Sequence, residues 1–412
     1  NAKILGDVDS RIDVDITGTF SGTNFTFEYP DADGLHINGG PEPTIEAGTF
    51  DNPINGNTNC LLNLSDQANL PATIRNCIFN TTASGDVDEL TGSRNVKSNV
   101  NTGEVTFLDY SGTLADNSAA PTAEDLDDDV ANKISWFDGK WFTEEFSPNV
   151  SSSANWYSNR FGGGFSPSNF DSPTDEFIVQ SGHTSVPTNS WSPAGKLTIE
   201  NTGTLQTGDQ TITIGGATVI ANGGTLAINN AAGIFDAVGT FDADDGAGGI
   251  GNITFTAAGR LKLKAVTADL GTSLIVGTGT IEYDFGGQQN IFNTAYNNLE
   301  IDGSGDKDVG ADLTVNGNLT ITNGTLDLTN DGAGNFDLAL ATDFSMTGGS
   351  LTAGSSDAHT VGGSWNETGA PAGGTFAPTA GTFTFNGDSK TITQLDNNFF
   401  NLTIAAGTKT AG

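Results

Sequence analysis

The chain has 412 residues, 55 of them Gly, with 35% hydrophobic and 16% charged residues, so it is too apolar and too regular for intrinsic disorder. Fifty acidic against 15 basic residues give a net charge of −35, which repels nucleic acid and anionic membrane surfaces, attracts divalent cations and keeps an edge-rich β protein soluble. No run of 18 apolar residues predicts a membrane-spanning helix, no signal peptide is visible, and Val, Ile, Thr and Phe set between Gly, Asn and Asp predict an all-β protein.

In the first third, "GDVDSRIDVDITGTF" alternates as a strand does. Its Asp7, Asp9, Asp13 and Asp15 fall on one face, but in stacked strands carboxylates lie near one another by geometry alone, so the pattern does not single out a glycoside-cleaving pair. Cys60-Leu-Leu-Asn63 matches Cys77-Ile-Phe-Asn80 at an offset of 17. That match predicts variable-length coils with Cys60 and Cys77 at equivalent places in adjacent coils, either bridged or as two buried thiols. The acidic run Ala123–Val130 closes this segment, giving a first β-helical region over 1–130.

The stretch 131–176 breaks the pattern: Trp136, Trp141, Trp156, Tyr157 and several Phe crowd around Gly162-Gly163-Gly164. Two readings stand. These aromatics form an exposed contact surface for sugars or a second subunit, or they form a local core joining two β segments.

From 177 to 412 the chain repeats. Ile199-Glu-Asn-Thr-Gly-Thr-Leu205 matches Ile220-Ala-Asn-Gly-Gly-Thr-Leu226 at an offset of 21. Asp312–Leu326 lies over Asp337–Leu351 at an offset of 25, with Leu313 on Leu338, Val315 on Leu340, Leu319 on Phe344, Ile321 on Met346 and Leu326 on Leu351. A Gly-Thr-apolar signature recurs at Gly279, Gly374 and Gly381, and the surroundings of Gly279–Gly310 return about 102 residues later at Gly381–Gly412. Periods this short predict a parallel β-solenoid with coils of about 17–25 residues: one coil cannot bury its own apolar face, and stacking buries Leu on Leu while pairing every strand with the coil above and below. About 22 residues per coil gives roughly 18 coils and a rod about 90 Å long. A string of antiparallel sandwiches is the competing architecture, but sandwiches do not repeat coil by coil at these offsets.

Chemistry is sparse. His36, His183 and His359 fall on different predicted coils, so no triad or His-based metal site is expected. "FDADDGAGG" lacks the Gly and Glu placement of an EF-hand, leaving Asp242, Asp244 and Asp245 as candidate ligands of a weaker calcium site; no other cofactor is expected. The Gly pairs precede strands, not helices, which excludes a nucleotide-phosphate loop. A polysaccharide lyase or hydrolase in the first segment would need clustered Asp beside a basic residue, and that segment offers only Lys3, Arg11, Arg75, Arg94 and Lys97.

Tyr296–Leu328, "YNNLEIDGSGDKDVGADLTVNGNLTITNGTLDL", resembles the repeat of large surface β-strand-repeat proteins exported by type IX secretion. Ser151–Thr184 resembles the opening that precedes such repeats, so the resemblance covers 151–412. It implies a secreted, cell-surface adhesin or scaffold with no catalytic residues to carry over and a longer parent chain. The expectation is an extracellular stalk or filament subunit, not an enzyme, whose partners are copies of itself or surface glycans.

Overall fold

The computed structural model describes residues 2–5, 12–38, 43–51, 60–65, 70–71, 73–80, 94–98, 105–108, 127–129, 134–137, 139–144, 149–158, 166–244, 249–330, 334–354, 358–368, 375–378, 380–394, 398–405 and 409–411. Their regular structure is strand throughout, apart from one short 3-10 turn at Ser153–Asn155. The fold is a parallel β-solenoid of about 14 turns. It divides into two compact units, Asn1–Gly139 and Lys140–Gly412.

The first unit has three parallel sheets. One stacks Ala2–Leu5, Phe25–Glu28, Thr49–Asp51 and Ile78–Asn80. The second runs from Ile12–Thr17 through Pro30–Asn38, Cys60–Asn63 and Arg94–Ser98 to Asp127–Asp129. The third runs from Ser21–Thr23 to Ile134–Phe137. Phe27, Phe50, Leu62, Ile74 and Phe107 are fully buried between them.

The second unit is built on one ten-stranded parallel face that starts at Thr211–Ile214 and ends at Lys390–Thr393 and Lys409–Ala411. Beside it, the sheets ending at Ala268–Asp269 and Ser273–Ile275 give way to two others that begin at Gln289–Ile291 and Ala295–Tyr296. Only the ten-stranded face runs through this changeover.

The registers follow the sequence offsets. Leu313 pairs with Leu338 and Val315 with Leu340; Leu319 pairs with Phe344 and Ile321 with Met346; Leu326 pairs with Leu351. Ile199 lies on Ile220 and Leu205 on Leu226. Leu313–Val315, Leu319–Ile321 and Thr325–Asp327 belong to three different sheets, so the intervening Asn-Gly steps are corners, not hairpins. The Gly-Thr-apolar signature is a corner followed by an outward and an inward residue. Gly324 has φ +71, and a Cβ there would meet the Gly303 carbonyl oxygen at 2.1 Å.

Three expectations need correction. The turns number about 14, not 18, because several coils are longer than 25 residues: Leu62 pairs with Val96 and Phe50 with Phe79. The 102-residue echo is not a whole number of turns, since Thr280–Tyr283 lies on the ten-stranded face and Thr382–Phe385 on a neighbouring six-stranded one. Cys60 and Cys77 are not equivalent. Cys60 pairs with Arg94 in one sheet, Cys77 precedes a strand of another, and both are buried thiols outside any disulfide.

Candidate interaction face

The outer side of the ten-stranded sheet changes character along the stack. Its early rungs carry ions. Asp236 stands on Ile234–Ala237, Arg260 and Lys262 on Arg260–Leu263, Glu282 on Thr280–Tyr283 and Glu300 on Asn298–Ile301. Parallel register places Asp236 under Lys262, Lys262 under Glu282 and Glu282 under Glu300. Lys262 Nζ lies 2.8 Å from Glu282 and 3.2 Å from Asp284, Lys264 Nζ lies 3.0 Å from Asp236, and Arg260 spans Glu282 and Glu300. Glu282 is only 1% exposed beneath these cations. Burial alone would push the Lys262 ammonium down, but Glu282 and Asp284 outweigh it and hold its pKa above the ordinary lysine value. Burial pushes Glu300 up, with Glu282 adding and Arg260 opposing. Glu282, Asp284 and Asp302 form the one grouping of three potential metal ligands among the described residues, but Lys262 already pairs with two of them.

The later rungs of the same face carry hydroxyl and amide groups, with Asp343 as the one carboxylate at the groove. Asn318, Thr320, Asp343, Ser345, Ser364, Asn366, Thr391 and Thr393 border a shallow groove of about 450 Å³. Its floor is the strand backbone over Phe344 and Trp365, whose rings stack 3.9 Å apart on the inner side. The border is tied rung to rung: Asn318 Oδ1 accepts from Thr342 Oγ1, and Asp343 Oδ1 accepts from the Ser364 amide. Hydroxyl and amide groups at the strand repeat, beside the single Asp343 carboxylate, suit a hydroxyl-rich chain. In the first unit a smaller groove, about 300 Å³, is lined by Glu46 and Arg75 among others, with one carboxylate where glycoside cleavage needs two.

Several polar groups point inward. Gln289 is fully buried and donates to the Leu263 and Ala265 carbonyls. One rung later Lys307 occupies the same column, again fully buried, amid backbone oxygens. His359 lies on Leu338's column; its Nδ1 accepts from the Leu338 amide at 3.1 Å and its ring stacks on Phe383 at 4.4 Å. Burial pushes the His359 pKa down, with Asp337 opposing. Periodicity treats polar residues as outward, so it missed all three; the available signal was a Lys, Gln or His at an inward strand position.

The sequence candidates are dispersed. Trp141 and Trp156 belong to the core of the second unit, which corrects the contact-surface reading for both. Trp141 Nε1 donates to buried Asp175 at 2.7 Å, and Trp156 Nε1 donates to the Val150 carbonyl while its ring stacks on Trp191. Trp156–Tyr157 pairs antiparallel with Lys140–Thr143, whose other side begins the parallel stack, so an antiparallel strand closes that sheet edge. Tyr157 is half-buried; Trp136 lies in Ile134–Phe137 of the first unit, and its side chain is outside the described residues. Asp242 Oδ1 accepts from the Asp244 amide, and Asp242 stacks on Asp269; burial, then the Asp244 and Asp269 carboxylates, raise its pKa. Asp245 lies outside the described residues. Cys60 Sγ donates to the Asp33 carbonyl and Cys77 Sγ to that of Arg75; burial pushes the Cys77 thiol up to about 12. His36 faces Asp15 and His183 faces Thr143 Oγ1, apart from His359.

The outermost described rung of the six-stranded sheet, Asn401–Ile404, leaves Leu402 48% and Ile404 45% exposed. These continue the columns that bury Phe383 and Phe385 one rung below. Comparisons with protein-family profiles, with characterised proteins and with solved structures return no match for the chain.

Proposed function

We propose that the chain is a structural and adhesive solenoid of the cell surface or extracellular space, a stalk or filament subunit that associates end to end. What supports this reading is the parallel stack itself, whose inner column Ile281, Leu299, Leu319, Phe344 and Trp365 continues rung on rung as a stiff backbone ladder. Such a ladder grows by adding strands, so a strand from a second copy is a fitting partner for it. The extracellular placement rests on the resemblance to type IX-exported repeat proteins and on an acidic surface that keeps copies apart until a specific contact forms. The role is mechanical, without catalysis or a required cofactor. Electron micrographs of the unmodified chain should show end-to-end assemblies whose length grows with concentration. Monomers alone, at every concentration of the unmodified chain, overturn the reading.

A second reading, glycan binding, draws on the hydroxyl- and amide-lined groove rather than on the buried Trp141 and Trp156. It is tested by a glycan array with the unmodified chain and Asn366→Ala; uniform absence of binding removes it.

A further inference from the structure

The Lys307 ammonium lies where backbone carbonyls converge. Nζ is 3.0 Å from the Phe285 oxygen, 3.2 Å from Gly287, 3.1 Å from Gly303, 3.1 Å from Ser304 and 3.3 Å from Gly305. The oxygens come from two stacked corners, 285–287 and 303–305, at the changeover where two sheets of the second unit end and two others begin. Gln289 serves the rung below, and Lys307 serves these five, of which the Gly305 oxygen also accepts the Thr325 amide of the strand above at 3.0 Å. The column then turns apolar: Lys307 pairs with Leu326, and Leu326 with Leu351.

An ammonium has three N–H groups, and five oxygens around it outnumber them. Such a shell matches an ion's coordination sphere better than a set of directed hydrogen bonds. Rings of neutral carbonyl oxygens hold potassium ions, which are about the size of ammonium, whereas divalent ions favour carboxylate ligands. Gly303 and Gly305 let the two corners close on the cage: a Cβ on Gly303 would meet the Phe285 oxygen at 2.2 Å, and one on Gly305 would meet Gly287 carbon at 2.7 Å.

We propose that this corner is a monovalent-cation site, permanently filled by the Lys307 ammonium as a tethered ion, and that vacating it creates a pocket for free ammonium or potassium. The tether makes the corner independent of ions in the medium, which suits a surface solenoid exposed to changing salt. Without a cation the five oxygens face one another, and among the described residues only Gly305 keeps a backbone donor, the Thr325 amide at 3.0 Å.

The test uses the full 412-residue chain with Lys307→Ala and Lys307→Leu, melted in chlorides of ammonium, potassium and tetramethylammonium at equal ionic strength. The unmodified chain should melt at one temperature in all three. Lys307→Ala should melt lower in tetramethylammonium and regain a substantial part of the loss, dose-dependently, in ammonium or potassium. Lys307→Leu, which matches the Leu above it but fills the space, should stay low in every salt. If Lys307→Ala does not fold in tetramethylammonium, refolding on adding ammonium or potassium supports the site, and failure to refold in any salt overturns it. A Lys307→Ala chain as stable as the unmodified one, or one equally destabilised in all three salts, also overturns it.

Discussion

The early and late rungs of the ten-stranded face share a register and an inner column but differ in almost everything else. Ile281, Leu299, Leu319, Phe344 and Trp365 run up the inside without a break. Outside, the early rungs carry Arg260, Lys262, Glu282 and Glu300, and the late rungs carry Thr320, Ser345, Asn366 and Thr393. Inside, a late rung of this face buries Glu367, and the neighbouring six-stranded sheet buries His359. One backbone therefore tolerates opposite outer chemistries, provided the inner column and the corners are kept. Stability is set on the inside, and recognition is free to vary on the outside.

Breaking what the two halves share should have the largest effect. Phe344 is fully buried and stacked on Trp365. Phe344→Ala should cost about 3–5 kcal/mol in denaturant melts, from lost transfer energy plus the cavity left behind. An unchanged midpoint would mean that the inner column does not carry the fold.

That inner column is also what the sequence made legible. All five apolar matches over Asp312–Leu326 and Asp337–Leu351 recur as paired Cα positions, because stacked coils place like on like and any slip would turn Leu outward. Corners were legible through Gly324 and its Gly-Thr-apolar context. Turn count was not, since coil length varies and leaves no periodic trace. The 17-residue Cys match was a local likeness between strands of different sheets. Lys307 and His359 escaped because their interior position depends on backbone carbonyls and amides brought together only by stacking. Trp141 and Trp156 were visible as a cluster, but their burial follows from the antiparallel strand that folds back on Lys140–Thr143.

The next effect sharpens the contrast on the charged side. Glu282→Gln keeps the shape but removes the anion shared by Arg260 and Lys262. Both cations keep a second carboxylate and are partly exposed, so the expected loss is about 1–2 kcal/mol at low salt, shrinking at high salt. Equal melts of Glu282→Gln and the unmodified chain at low salt would make the ladder ornamental.

On the late side the sensitive group is inside. Burial holds the His359 pKa below its ordinary value of 6.5. The unfolded chain therefore takes up a proton that the folded one refuses, so stability is fully present above about pH 6.5 and declines as the pH falls below it. The slope is at most about 1.4 kcal/mol per pH unit for one proton. His359→Leu loses the Leu338 amide bond at every pH, but its stability should fall less steeply between pH 7 and 5 than that of the unmodified chain. Parallel curves would show that His359 takes no part in acid sensitivity.

The smallest expected effect tests whether the late half is kept for recognition. Thr320 points outward on the groove's edge, between Glu300 below and Ser345 above. Val has the same branched shape and an equal liking for strands, so Thr320→Val should change stability by no more than about 0.5 kcal/mol. What it removes is a hydroxyl that a bound sugar chain would use and that the fold does not need. If the groove binds glycans, Thr320→Val should weaken retention on the glycans that the unmodified chain selects, while its melt stays the same. If the melt falls by more than about 1 kcal/mol, the hydroxyl belongs to the ladder that holds the rungs, and the outer face of the late half is as structural as the charged half.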